Sequence, residues 1–445
     1  MFGVPVRVRI GFFLVPLLFA TQGTDFSSAA MWIAVVFISV MLHEMGHALV
    51  ARAYGARPSI TLYALGGLTR YEARMSRGQN ALISLAGPGA GFALGLAVLL
   101  LTQRVHLADA GEKLAFYLMY VNIGWGVMNL LPVLPFDGGQ LLSAALGPER
   151  ALATALISAT VGTLVAVAGM LIFKSIFVAI LFGSAAVSAI LEARSVYIAR
   201  ADARDGFDRM LSDAKSALLS GDNRAAQALA ETVTGSARTA RLRNEAWTTI
   251  AWVYVADGNG QLARSALMNV KPQGDVDLYT LAAVEDAAGE ADNAKDILLQ
   301  ARLHGLRTAE MTKLLIDLHA RRDDLTAAAD IAREDASLLG RDQARAVLRA
   351  ALQAGAHRPA SALAGRLFEL FGETDDGLDQ ARALALGGGR TEALDVLERV
   401  LGSIGSGGSA QIDPATLRAD PSLEGLRSDP RFTRLLEGLA GAKGP

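Results

Sequence analysis

His43, Glu44 and His47 lie inside an apolar run from Ala29 to Ala51 that carries no other charged residue. A run of that length reads as a membrane-crossing helix. One acidic or basic group at the centre of such a helix costs roughly 2.5–3.5 kcal/mol, so three ionisable groups are tolerated there only if they act together. Residues four apart share a helix face, so His43 and His47 can offer two imidazole nitrogens to one metal ion, with Glu44 beside the remaining position. His-Glu-x-x-His is the recurrent arrangement of zinc hydrolases, the Glu serving as general base.

The 445 residues divide by composition. Apolar runs dominate to about residue 195, which raises the hydrophobic fraction to 52%; from Ala201 the chain turns rich in Ala, Leu, Arg and Asp. Six spans are expected, at about 9–22, 29–52, 80–102, 114–135, 151–172 and 174–192. Arg7, Arg9, Arg52, Arg57, Arg70, Arg74, Arg77, Arg150, Arg194, Arg200 and Arg204 fall on one side of that arrangement, against Arg104, Lys113 and Lys174 on the other. The positive-inside rule then makes both termini cytoplasmic, in a multi-pass protein of a cell membrane, bacterial by its kind. A net charge of −2 without a dense basic block gives no reason to expect nucleic acid. The absence of cysteine excludes thiolate sites, so any zinc must be held by His, Asp or Glu.

Away from their ends, the expected spans contain His43, Glu44 and His47, and Asp137 lies just past the fourth. Charged groups at membrane depth converge on each other or on a metal, because lipid offers them nothing. Pro132 and Pro135 break the helix ahead of Asp137, and Gly138-Gly139 permits a sharp turn, which would aim the carboxylate inward as a third ligand. The expected cofactor is one zinc ion per chain, on His43, His47 and Asp137. The stretch from Arg57 to Tyr71 is rich in strand formers with a Gly66-Gly67 break, so it reads as a small cytoplasmic hairpin whose edge can take up an extended substrate by strand addition. Asn122 is expected to hydrogen-bond between helices. His106, His304, His319 and His357 are scattered singly and read as surface residues.

His43-Glu44-x-x-His47 together with Asn129-x-x-Pro132-x-x-Pro135-x-Asp137-Gly138 resembles the site-2 protease family of intramembrane zinc metalloproteases, over about residues 1–195. Gly66-Gly67 and Leu85-Ala86-Gly87-Pro88 resemble further features of that family, while Phe136 stands where the family usually has Leu. The resemblance implies peptide-bond hydrolysis within or near a transmembrane segment of another membrane protein, catalysed with Glu44. It also implies that Asn129, with Gly66 and Gly67, contacts the substrate backbone.

In the second half a turn residue followed five later by Ala recurs at Gly221/Ala226, Gly258/Ala263, Gly289/Ala294, Arg322/Ala327, Gly355/Ala360 and Gly388/Ala393. Steps of 31–37 residues resemble the period of about 34 in tetratricopeptide repeats. The fold class is therefore all-α: a six-span bundle with a small hairpin over 1–200, a soluble α-solenoid of two-helix repeats over 201–402, and a flexible linker with capping helices over 403–445. The repeats are expected to bind a cytoplasmic protein or peptide. Two rivals weigh against the protease: a silent scaffold, which has no reason to keep a costly buried carboxylate, and a metal transporter, which should show pseudo-repeated spans.

Overall fold

The computed structural model describes residues 3–20, 25–64, 66–404 and 412–441. It is mostly helical and separates into two compact units, Met1–Asp205 and Gly206–Pro445.

In the first unit a short strand β1 (Val6–Val8) leads through a 3-10 turn into α1 (Leu14–Ala20), followed by α2 (Phe26–Ala53). Strands β2 (Pro58–Tyr63) and β3 (Gly66–Tyr71) precede α3 (Arg77–Thr102), α4 (Asp109–Asn129), α5 (Asp137–Leu146), α6 (Ala151–Leu171) and α7 (Ile176–Arg204). Among the described residues four helical segments are long and apolar enough to cross a membrane: α2, α3, α6 with the turn before it, and α7. Within the expected first span, 9–22, lie a 3-10 turn and a seven-residue helix, with residues 21 and 22 outside the described set. The expected fourth span is shifted: α4 begins at Asp109 and stops at Asn129, and Asp109, Glu112, Lys113, Asn122 and Asn129 lower its mean hydropathy.

The sheet has the order β1-β2-β3, with β1 parallel to β2 and β2 antiparallel to β3. The sequence reading places no strand at Val6–Val8, because three residues carry too little alternation to signal one. Ile60 and Leu62 point inward and pack with Val4, Phe12, Val40, Met45 and Ala48, which fixes the sheet against the last turns of α2. Small residues let the helices approach closely: a Cβ on Gly46 would strike the Ala86 carbonyl, and one on Gly95 would meet Ile123 at 2.8 Å. Asn122 makes the interhelical hydrogen bond expected of it, donating to Ser39 Oγ at 2.8 Å and to the Leu118 carbonyl at 2.8 Å.

The second unit is built from helix pairs: α8 (Phe207–Leu219) with α9 (Asn223–Ser236), α10 (Ala240–Ala256) with α11 (Gly260–Leu267), and α12 (Leu278–Ala287) with α13 (Ala291–Leu303). After α14 (Ala309–Ala320), α15 (Leu325–Glu334) and the short α16 (Ala336–Leu339) come α17 (Arg341–Gln353) with α18 (His357–Phe371) and α19 (Thr374–Leu386) with α20 (Arg390–Ile404). Five of the period-marking glycines sit in the turns with φ between +73° and +85°, a conformation that costs glycine little. The alanine five residues later is fully buried in each of these pairs. The fourth pair is displaced by one from the Arg322/Ala327 reading: Asp323 carries the positive φ of 57°, and Ala328 is the fully buried partner. Aspartate is among the residues that tolerate this region, so the turn survives without a glycine. The Gly-Ser run expected as a linker is helical to Ile404, and residues 405–411 lie outside the described set. Beyond it α21 (Pro414–Ala419) and α22 (Pro430–Gly441) bring Leu417, Phe432 and Leu436 onto Leu394 and Leu397 of α20.

Asp335 ties four segments of this unit together. It is 2% exposed, accepts from Thr312 Oγ1 at 2.8 Å and Arg307 Nη1 at 3.1 Å, and pairs with Arg302. Burial alone would raise its pKa, but Arg302, Thr312 and Arg307 outweigh that and hold it below the usual carboxylate range. Because the folded value is the depressed one, this stabilisation is present above the unfolded pKa and fades as pH falls from about 4. Asp335→Ala is expected to cost about 1–3 kcal/mol, since it removes the acceptor of Thr312 and Arg307 at a buried position while Arg302 keeps Glu334. Urea unfolding of the full chain in mild detergent measures this, and an unchanged midpoint would refute it.

Candidate metal centre

The centre is assembled from one continuous helix, α2, and a break in helical path between α4 and α5. His43 and His47 are one turn apart on α2, both buried, and their rings meet edge to face at 4.8 Å. Pro132 and Pro135 end the helical path after Asn129, and α5 restarts at Asp137. A Cβ on Gly138 would collide with the Leu130 and Leu131 backbone, and one on Gly139 would come within 2.5 Å of Leu134 N. These glycines therefore let the first turn of α5 pack on the 130–134 segment and carry the carboxylate to α2. As first residue of α5, Asp137 also lies at the positive end of a helix dipole.

His43 Nε2 is 3.1 Å from Asp137 Oδ2, His47 Nε2 is 3.3 Å from Asp137 Oδ1, and the two Nε2 atoms are 3.2 Å apart. One ligand atom from each residue lies within 4.8 Å of the others, a group that could hold a metal ion. His47 Nδ1 lies 2.6 Å from the Ile83 carbonyl and donates to it, which leaves Nε2 of the neutral ring as a lone pair aimed into the group. Asp137 Oδ2 is buried and, apart from the approach of His43 Nε2, has no hydrogen-bond partner. Two nitrogens and an orphaned anionic oxygen converging this closely call for positive charge between them, and a divalent cation with a His-His-carboxylate set meets that need.

Glu44 is buried on the same helix under β3. Thr69 Oγ1 lies 2.7 Å from Glu44 Oε2 and 3.1 Å from the Glu44 carbonyl, so its single proton serves one of them at a time. A Cβ on Gly67 would run into the Glu44 side chain, with Cδ and Oε1 at 2.5 Å, so the strand crosses directly over the carboxylate. Gly66 faces the Trp125 ring, and Asn129 donates to the Trp125 carbonyl at 3.1 Å. All of these line one cleft of about 1170 Å³ that opens beside β3. Thr69 and the Ile83 carbonyl were not anticipated from the sequence, whereas Gly87, singled out there only as a family-like feature, faces the His47 ring. Thr69 follows Gly67 by two, so strand alternation alone puts both on the face towards Glu44.

The family model for peptidase family M50 matches residues 31–115 and 104–176, which hold every residue of this cluster. Over these residues the first unit is similar to peptidase family M50. A zinc metalloprotease of Methanocaldococcus jannaschii is 30% identical to the chain over 209 residues, covering 44% of this chain. The chain spans 61% of that relative's length. A solved structure of a site-2 protease from the same organism aligns with 27% identity over 43% of this chain and 92% of its own, with a TM-score of 0.36. The M50 matches stop short of the second unit, whose helix pairs lie outside them.

Proposed function

We propose that the protein is a zinc-dependent intramembrane endopeptidase that hydrolyses peptide bonds in or near transmembrane segments of other membrane proteins. The observation that carries this reading is Glu44 beside the converging His43, His47 and Asp137, at membrane depth, on one open cleft. His43, His47 and Asp137 would hold the ion. When bound, such an ion supplies Lewis acidity towards the scissile carbonyl and the attacking water. Glu44 would take the water's proton and return it to the leaving nitrogen, and Thr69 holds Oε2 in place for that exchange.

A helical substrate has every amide already hydrogen-bonded, so it must be held extended to be cut. β3 pairs with β2 along one edge; its other edge can take an added strand, with Gly66 and Gly67 giving backbone access and Asn129 facing the same cleft. Completing the reading are six membrane-traversing segments with α1 and α4 among them, both termini cytoplasmic, and a bacterial cell membrane. The second unit serves as a tetratricopeptide-like solenoid that recruits a substrate or partner protein. Its marker turns and buried alanines support that geometry.

The test uses purified full-length protein in detergent. It should contain about one zinc per chain and cleave fluorescein-labelled casein. Treatment with 1,10-phenanthroline should abolish cleavage, and zinc re-addition should restore it. Cleavage that survives complete metal removal would exclude the reading.

A further inference from the structure

The outer face of the sheet is basic and unpaired. Strand alternation and register set Arg7 opposite Thr61, Thr61 opposite Leu68, and Ser59 opposite Arg70, all on the face away from buried Ile60 and Leu62. Arg9, whose N–H continues the ladder to the Leu62 carbonyl at 3.0 Å, and Arg57, one residue before β2, extend the same face by period two. Arg7, Arg9, Arg57 and Arg70 are exposed, and among the described residues none has a carboxylate within ion-pair reach. Glu72 is the acidic residue next to this group, also exposed and unpaired.

Two observations fix the level of this face. Its reverse side packs on α2 from Val40 to Ala48, so the sheet lies alongside the last 20 Å or so of a spanning helix rather than beyond its end. Immediately after Arg9 the chain exposes Ile10 (89%), Leu14 and Leu18, which suit hydrocarbon and not water. The step from Arg9 to Ile10 therefore marks the polar–apolar boundary. At that boundary an unpaired guanidinium needs an anion, and a phosphate diester answers it with two parallel hydrogen bonds. Tyr63 and Leu68, partly exposed on the same face, supply the amphipathic contacts of an interfacial surface.

We propose that Arg7, Arg9, Arg57 and Arg70 form a docking face for the headgroups of anionic glycerophospholipids, which seats the sheet, and with it the roof over Glu44, at the membrane surface. Arg57 and Arg70 also border the cleft that holds the metal cluster, but the face includes no metal ligand and not Glu44. Lipid binding and zinc content are therefore read separately from proteolysis.

The test is native mass spectrometry of the full-length, zinc-loaded protein in non-ionic detergent, titrated with phosphatidylglycerol or phosphatidylcholine. Phosphatidylglycerol should bind at least tenfold more tightly, with the preference falling as salt rises. Arg57→Gln with Arg70→Gln should reduce it by about fivefold per arginine, while the Lys pair keeps most of it and zinc content stays constant. Should the Gln pair fail to fold, Arg7→Gln with Arg9→Gln provides the same comparison at the other end of the face. Equal binding of the two lipids would overturn the proposal. So would displacement of phosphatidylglycerol by millimolar inorganic phosphate, which would indicate a free-anion site, or by a short poly-aspartate peptide, which would indicate a protein partner.

Discussion

Glu44→Gln is expected to lower hydrolysis by about 10²–10⁴-fold while leaving zinc content at about one per chain. The substitution keeps the volume and the oxygen that Thr69 addresses at 2.7 Å, so the roof strand need not move. Among the described residues of the cluster, Glu44 is the carboxylate outside the proposed metal set His43, His47 and Asp137, and the substitution removes its capacity to carry a proton. Casein cleavage measured beside zinc content separates the rivals. A scaffold would lose nothing, and a transporter would change metal flux with no proteolysis to lose. A Gln variant that cleaves within tenfold of wild type would remove Glu44 from the chemistry. Gly67→Ala should reproduce the same dissociation by another route, since the three atoms nearest its Cβ all belong to the Glu44 side chain, which it displaces.

The centre was legible because cost made it so. His43, Glu44 and His47 in an apolar run have few physical excuses, and Asp137 after two prolines has fewer still. The glycine–alanine period was legible for a related reason: the turn needs a positive φ and the packing needs a small side chain, and both leave a mark on residue type. Where another residue met the same need, as Asp323 did, the period slipped by one. β1 left no such mark, because its place in the sheet is set by pairing with β2 across more than fifty residues, and nothing within three residues encodes that. The expected first span is helical only in part: Ile10 to Ala20 is apolar enough for a helix, but its first four residues are claimed by the 3-10 turn that follows β1. Thr69 escaped notice because a hydroxyl in a strand is ordinary until the strand is known to cross a carboxylate.

Gly87→Ala should strip the metal from an otherwise folded protein. The glycine on α3 faces the His47 ring so closely that a Cβ would overlap Nε2 and lie 2.5 Å from Cε1 and 2.8 Å from Cδ2. The ring cannot retreat at little cost, because Nδ1 is held by the Ile83 carbonyl at 2.6 Å and α2 is itself pressed against α3 where Gly46 meets Ala86. Either the two helices part or the imidazole rotates away from Asp137, and both break the ligand set. Disturbing only the outer support of a metal ligand already costs about 10–100-fold in affinity, so displacing the ligand should cost at least that. Gly89→Ala, two residues on, meets nothing within 4 Å and is the matched control: the same change of residue type in the same helix, with zinc retained. Zinc content after dialysis against a graded chelator series measures both. A Gly87→Ala protein that holds zinc as tightly as the control would place His47 outside the metal set. The pairing with Gly67→Ala then closes the argument: one glycine guards the base and the other guards a ligand, so the first variant should lose turnover with its metal in place and the second should lose both.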